Sequence, residues 1–108
     1  MELADYQRLS RRTATYPREE WLAYPALGLA GEAGEVANHA KKVIRDDGSE
    51  LTDERRAALS KELGDVLWYV AQLATELELD LDAIAAENLE KLASRQRRGV
   101  LHGAGDER

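Results

Sequence analysis

Between Arg56 and Leu77 the apolar residues fall at Leu59, Leu63, Val66, Leu67, Val70, Leu73, Ala74 and Leu77, steps of three and four that suit a helix and no strand. A helix over that stretch runs for about 22 residues and spans roughly 33 Å at 1.5 Å per residue. Its stripe can be buried only against other helices, so the rest of the chain must supply them. The composition agrees, because the 44% hydrophobic content comes almost wholly from Leu, Ala and Val, with no Phe. A chain of 108 residues makes one domain with a modest core, and long amphipathic helices on so small a body seek partners.

Other elements follow from the same periodicity. Leu3, Tyr6 and Leu9, weakly continued by Ala14, predict a short helix over about 2–14. Pro17 biases Tyr16 away from helical geometry, which makes Thr15 to Pro17 a connection. Pro25 either kinks a helix begun near Glu19 or sits in the first turn of the main second helix. We expect a turn or short helix over 18–24 and a main helix over about 25–45, with Leu29, Val36, Ala40, Val43 and Ile44, joined by Ala33 and Ala37, on its apolar side. The polar run Arg45 to Glu50 ends it, and Thr52 or Asp53 caps the next helix. Asp80 caps a last helix to about Arg97, whose buried side carries Ile84, Ala85, Leu89, Leu92 and Ala93. Gly99, Gly103 and Gly105 break up a tail with few anchors, expected to be mobile. The expectation is an all-α, four-helix-type bundle with antiparallel neighbours: a single helical domain over 1–98 and a Gly-rich tail over 99–108.

The 21 acidic and 15 basic residues give a net charge of -6, which argues against stable nucleic-acid binding through backbone electrostatics. It leaves room for a nucleotide, because a bound cation inverts the sign of an acidic site. With no cysteine, disulfides, thiolate nucleophiles and Cys-based zinc sites are excluded. The start Met1-Glu2-Leu3-Ala4-Asp5 has no basic or apolar signal-peptide character, and no apolar run reaches membrane-spanning length. A cytoplasmic location away from membranes is the expectation.

Chemistry enters with two acidic doublets, Glu32-x-x-Glu35 in one long helix and Glu62-x-x-Asp65 in the next. Residues three apart share a helical face, so antiparallel packing can set the pairs opposite one another. Four close carboxylates raise one another's pKa unless a cation compensates them. Oxygen donors without Cys select a hard ion, Mg²⁺, or Mn²⁺ as a substitute. An E-x-x-E pair is also common on the solvated face of an acidic helix, so spacing alone leaves both readings open. Gly31, Gly34 and Gly64 lie inside these helices at a cost to helical stability, for which tight packing and ligand access are rival explanations.

A polyphosphate ligand also needs cations. Lys91 and Arg95 lie four apart on the last helix, Asn88 is one turn earlier and Arg98 extends the row, though a basic C-terminal turn also complements the helix dipole. Tyr69, four residues after Asp65, either orients a sugar or phosphate or fills an interface. Trp68 suits oligomer burial or base stacking; Trp21 and Tyr24 border a nucleobase pocket or pack the first segment; His39 follows Glu35 by four.

The blocks LGLAGEAGEV (Leu27 to Val36, followed by Lys41-Lys42), KELGDVLWYVAQLA (Lys61 to Ala74) and NLEKLASRQRRG (Asn88 to Gly99), with the tail HGAGDER, resemble the MazG-type branch of the all-alpha nucleoside triphosphate pyrophosphatases over roughly residues 25–106. The resemblance implies Mg²⁺ on Glu32, Glu35, Glu62 and Asp65, and phosphate recognition by Lys91 and Arg95 with Asn88. It implies hydrolysis of NTP or dNTP between the α and β phosphates to nucleoside monophosphate and pyrophosphate, in a homodimer or homotetramer with sites near subunit contacts. Two alternatives are a pyrophosphohydrolase for modified or alarmone nucleotides and a non-enzymatic helical interaction module. Base selection is least specified, since the first 24 residues carry little of the pattern.

Overall fold

The structure is a computed structural model that describes residues 1–108, and every regular element in it is helical. Helix α1 spans Leu3–Ser10, α2 Ala23–Asp46, α3 Asp53–Glu76 and α4 Leu81–Arg97. The expected first helix tightens after Ser10 into a 3₁₀ turn at Arg11–Thr13, and a second 3₁₀ turn follows Pro17 at Arg18–Glu20. Pro25 takes the first-turn alternative, where its missing N–H is not needed, and it is buried. Helix α3 starts three residues earlier than the apolar stripe because Thr52 caps it, its hydroxyl accepting from the Arg55 N–H at 3.1 Å. Between α2 and α3, Gly48 at φ 64° turns the chain, and the Ser49 N–H closes back on the Val43 carbonyl at 2.9 Å.

Helices α2 and α3 form a long antiparallel hairpin. Gly28 lies against Tyr69, Glu32 against Glu62 and Asp65, and Asp47 against Arg55, so one number rises as the other falls. Helix α1 lies across α3 and the start of α4, held by a polar seam. Gln7 donates to the Thr75 hydroxyl (3.1 Å) and the Leu79 carbonyl (2.9 Å) and accepts from the Leu81 N–H (2.8 Å). That last bond satisfies an orphan donor at the start of α4, where Asp80 is the N-cap residue but its side chain makes no capping bond. Gln72, fully buried, donates to the Ser10 hydroxyl at 2.7 Å and accepts from Arg11 at 3.1 Å. Trp68 donates to the Ser10 carbonyl (3.2 Å) and the Thr13 hydroxyl (3.0 Å), which makes it a staple for the first segment.

One chain leaves much apolar surface open. Only 7 of 108 residues are buried, and the radius of gyration is 16.7 Å, against about 13 Å for a compact domain of this length. Leu27, Ile44, Leu63 and Leu89 are more than half exposed. Along α2, Ala33, Ala37, Ala40 and Ile44, at steps of four, three and four, are all exposed. The apolar arc of α2 is therefore wider than α3 covers, and its uncovered flank has the spacing of a helix-packing seam. No helix is long and apolar enough to cross a membrane.

The tail is anchored where the sequence showed few anchors. Arg108 donates to the carbonyls of Val100 (3.0 Å), Leu101 (2.9 Å) and Gly105 (2.7 Å), folding residues 99–108 into a loop against α4. These are side-chain to backbone bonds, invisible to periodicity.

Candidate active site

The α2/α3 hairpin carries the acidic residues, and its register decides which of them meet. Oxygens of Glu32, Glu62 and Asp65 lie within 4.8 Å of one another, Glu32 and Glu62 half-buried and Asp65 exposed. Glu35 stands outside this set, exposed one turn along α2, although its charge still reaches Glu32. The Glu32 carboxyl is held above the ordinary carboxylate range, first by a hydrogen bond shared with Glu62, then by burial and by the charges of Asp65, Glu62 and Glu35. Three carboxylates so close repel one another, and a shared proton or a cation relieves that repulsion. The set, all oxygen and anionic, fits a hard divalent ion.

A polar chain backs the cluster. Asp47 accepts from Arg55 at 3.0 Å, Arg55 Nη1 lies 3.0 Å from His39 Nδ1, and His39 Nε2 stands 3.6 Å from Glu62. Arginine is donor only, so Nδ1 accepts and Nε2 carries the proton, aimed toward Glu62. His39 thus touches the acidic site from behind, through a linkage that sequence spacing left undecided.

Tyr69 borders the same cluster. Its hydroxyl is pushed above the ordinary phenol range by burial first, then by Tyr24, Glu32 and Asp65. Tyr6 of α1 is raised by burial and by Asp65, a neighbour nothing in the sequence brought to the site. The Tyr69 ring crosses α2 at Gly28, where an added Cβ would lie 2.2 Å from Cε1 and 2.3 Å from Cζ. Close approach therefore explains Gly28, while Gly31, Gly34 and Gly64 have nothing within 4 Å of such a Cβ. Tight packing within the chain is not the reason for those three.

The remaining aromatics cluster farther along. Tyr16 stacks on Tyr24 with centroids 5.3 Å apart and meets Trp68 edge-on at 6.5 Å. A recess of about 210 Å³ is lined by Arg11, Tyr16, Arg18, Trp21 and Glu76. Glu76 is eleven residues beyond Asp65 on α3, about 16 Å along the axis. Trp21 lines that recess and is nearly half exposed.

The cationic row forms a separate feature. Lys91 and Asn88 line a recess with Ile84, Glu87 and Asp106, and no residue of the acidic cluster borders it. Lys91 pairs with Asp106 at 2.9 Å, and buried Arg95 reaches the same carboxylate at 3.1 Å and the Asp106 carbonyl. Arg98 turns away to the Ser94 hydroxyl (3.1 Å) and the Arg108 carbonyl.

Residues 24–100 match the model of the MazG nucleotide pyrophosphohydrolase domain. The chain belongs to this family. As a MazG protein it is a nucleoside triphosphate pyrophosphohydrolase, which cleaves between the α and β phosphates to a nucleoside monophosphate and pyrophosphate, and the non-enzymatic alternative falls away. MazG enzymes are generally Mg²⁺-dependent, in keeping with the oxygen-only acidic cluster on this hairpin. The whole of this MazG chain aligns with the whole of the gene 37 protein of Mycobacterium phage L5 at 47% identity. No solved structure matches it.

Proposed function

We propose that Glu32, Glu62 and Asp65 hold the Mg²⁺, with Mn²⁺ as a substitute, and that this hairpin is where the α phosphate of the nucleotide is attacked. The observation that carries this reading is the convergence of three carboxylates from two helices within 4.8 Å. A divalent ion there supplies positive charge against the α phosphate and lowers the pKa of nearby water. Glu35, one turn from Glu32 and outside the cluster, is the carboxylate left to accept the proton of the attacking water. His39, fixed by Arg55, steadies Glu62. Tyr69 offers its hydroxyl to the sugar or phosphate from beside the cluster. Lys91, Arg95 and Asn88 take the departing pyrophosphate, with Arg98 extending the row.

In one chain that row and the acidic cluster share no recess. The reading therefore includes a second copy: a homodimer or homotetramer in which the open flank of α2 is covered and the cationic row of one subunit faces the acidic cluster of another. The exposed Ala33, Ala37, Ala40 and Ile44 support this, since so regular an apolar seam is costly in water.

The test is a panel of NTPs, dNTPs and modified or alarmone nucleotides, with pyrophosphate and orthophosphate measured independently in Mg²⁺ and in EDTA. The expected result is Mg²⁺-dependent pyrophosphate release that collapses in Glu62→Gln and in Glu35→Gln. Unchanged turnover in both variants overturns the site. The panel also decides the substrate class.

A further inference from the structure

Arg95 is the one charged residue buried in this chain, at 5% exposure, and the anionic group it meets is the carboxylate of Asp106. Lys91, one turn earlier on α4, reaches the same oxygen, Oδ1, at 2.9 Å. Two cations from one helix face converging on a single anionic oxygen is how a phosphoryl oxygen is held. Asp106 itself is three-quarters exposed and sits on a short loop that Arg108 ties to itself, and whose backbone carbonyls at Asp106 and Arg108 accept from Arg95 and Arg98, so the loop stays on α4 when the carboxylate turns away. Its carboxyl is held below the ordinary range by Lys91 first and then Arg95, so it remains ionised in mildly acidic solution. An exposed carboxylate can leave at little cost, whereas a buried guanidinium cannot go without an anion.

We propose that Asp106 is a built-in occupant of the pyrophosphate-binding pair: its carboxylate neutralises Lys91 and Arg95 in the empty enzyme, and the phosphates of substrate or product must displace it. This rests on the assignment of Lys91 and Arg95 as phosphate ligands. The tail then sets the threshold at which substrate engages and helps expel pyrophosphate after cleavage.

The test is the affinity of the full chain for inorganic pyrophosphate, measured by calorimetry on the wild type, Asp106→Asn, Lys91→Ala and Glu107→Gln. Removing the competing carboxylate should tighten binding roughly fivefold, the factor by which an exposed ion pair of ordinary strength favours the closed form. Lys91→Ala should weaken binding, and Glu107→Gln, with the same charge change one residue along, should leave it unaltered. If Lys91→Ala weakens binding while Asp106→Asn leaves it equal or weaker, the phosphate assignment stands and the competition is refuted. If Lys91→Ala has no effect, the assignment fails and takes the proposal with it. Equal tightening in Glu107→Gln would reduce the effect to net charge and overturn it as well.

Discussion

Glu62→Gln should make the metal-free protein more stable while it destroys the response to Mg²⁺. Glu62 faces two carboxylates, Glu32 and Asp65, with oxygens within 4.8 Å. At that separation one pair of unit charges repels by about 0.9 kcal/mol in water and about 3.5 kcal/mol at an effective dielectric of 20. Asp65 is exposed, which pulls the value toward the water limit, so relief of both pairs is worth about 1–2 kcal/mol. Glutamine keeps the shape, and its amide can still bond Glu32, so little packing is lost. For a chain of this size each kcal/mol moves the melting temperature by about 4–8 °C. Thermal melts in EDTA should therefore place Glu62→Gln above the wild type by roughly 5 °C or more. Added Mg²⁺ at a hundred times its dissociation constant should raise the wild type by about 2.7 kcal/mol and the variant by far less. A lower melting temperature for the variant in EDTA, or an equal Mg²⁺ increment in both proteins, refutes the claim that these carboxylates are held together at an electrostatic cost that a cation removes.

Three further outcomes follow from particular contacts. Gly28→Ala forces a methyl group into the Tyr69 ring and should cost about 1–3 kcal/mol in denaturant unfolding, with recovery in the double variant carrying Tyr69→Leu; no loss would mean the ring is not wedged there. Gln7→Ala removes three hydrogen bonds at the α3–α4 turn and should cost about 1–3 kcal/mol, with faster hydrogen exchange at the Leu81 amide as the local signature. The Glu76 carboxyl is held below the ordinary range by Tyr16 first and Arg11 next, so the unfolded chain takes up its proton before the folded one does. Its contribution is intact above the ordinary carboxylate range and lost as pH falls through the depressed folded value; acid titration of Glu76→Gln should show a shallower loss of stability below about pH 5.

What could be read from the sequence was what repeats at helical spacing. The α3 stripe and the common face of each acidic doublet follow from steps of three and four, which fix direction around a helix without knowledge of its neighbour, and the cap, expected at Thr52 or Asp53, follows from residue type. Failures came where a long-range polar contact decides. Gln7 caps α4 from 74 residues away, and Gln72 is buried because Ser10 and Arg11 satisfy it. Arg108 ties down a tail that composition marks as loose. Glu35 shares a turn with Glu32, yet the α2/α3 register sets Glu32, and not the next turn of α2, against Glu62 and Asp65, and a register is a property of the pair of helices that neither helix's spacing carries. Gly28 gave no more signal than Gly31 or Gly34, since only the partner residue, Tyr69, tells them apart.

The separation of the two halves of the proposed site leads to a test that neither half gives alone. The acidic cluster lies on the α2/α3 hairpin, whereas the cationic row lies on α4, which touches the hairpin little and lines its own recess. If catalysis needs Lys91 of one subunit against Glu62 of another, then Glu62→Gln and Lys91→Ala proteins, each inactive by itself, should recover activity when unfolded and refolded together. In a dimer with random assortment half the molecules are mixed and each has one intact site of two, so recovery should reach about a quarter of the wild-type rate. A site made within one chain allows none, because every chain in the mixture is defective. Absence of recovery, with mixed dimers demonstrated by a mass tag on one variant, would place the row and the cluster in the same subunit and require α4 to swing onto the hairpin when nucleotide binds.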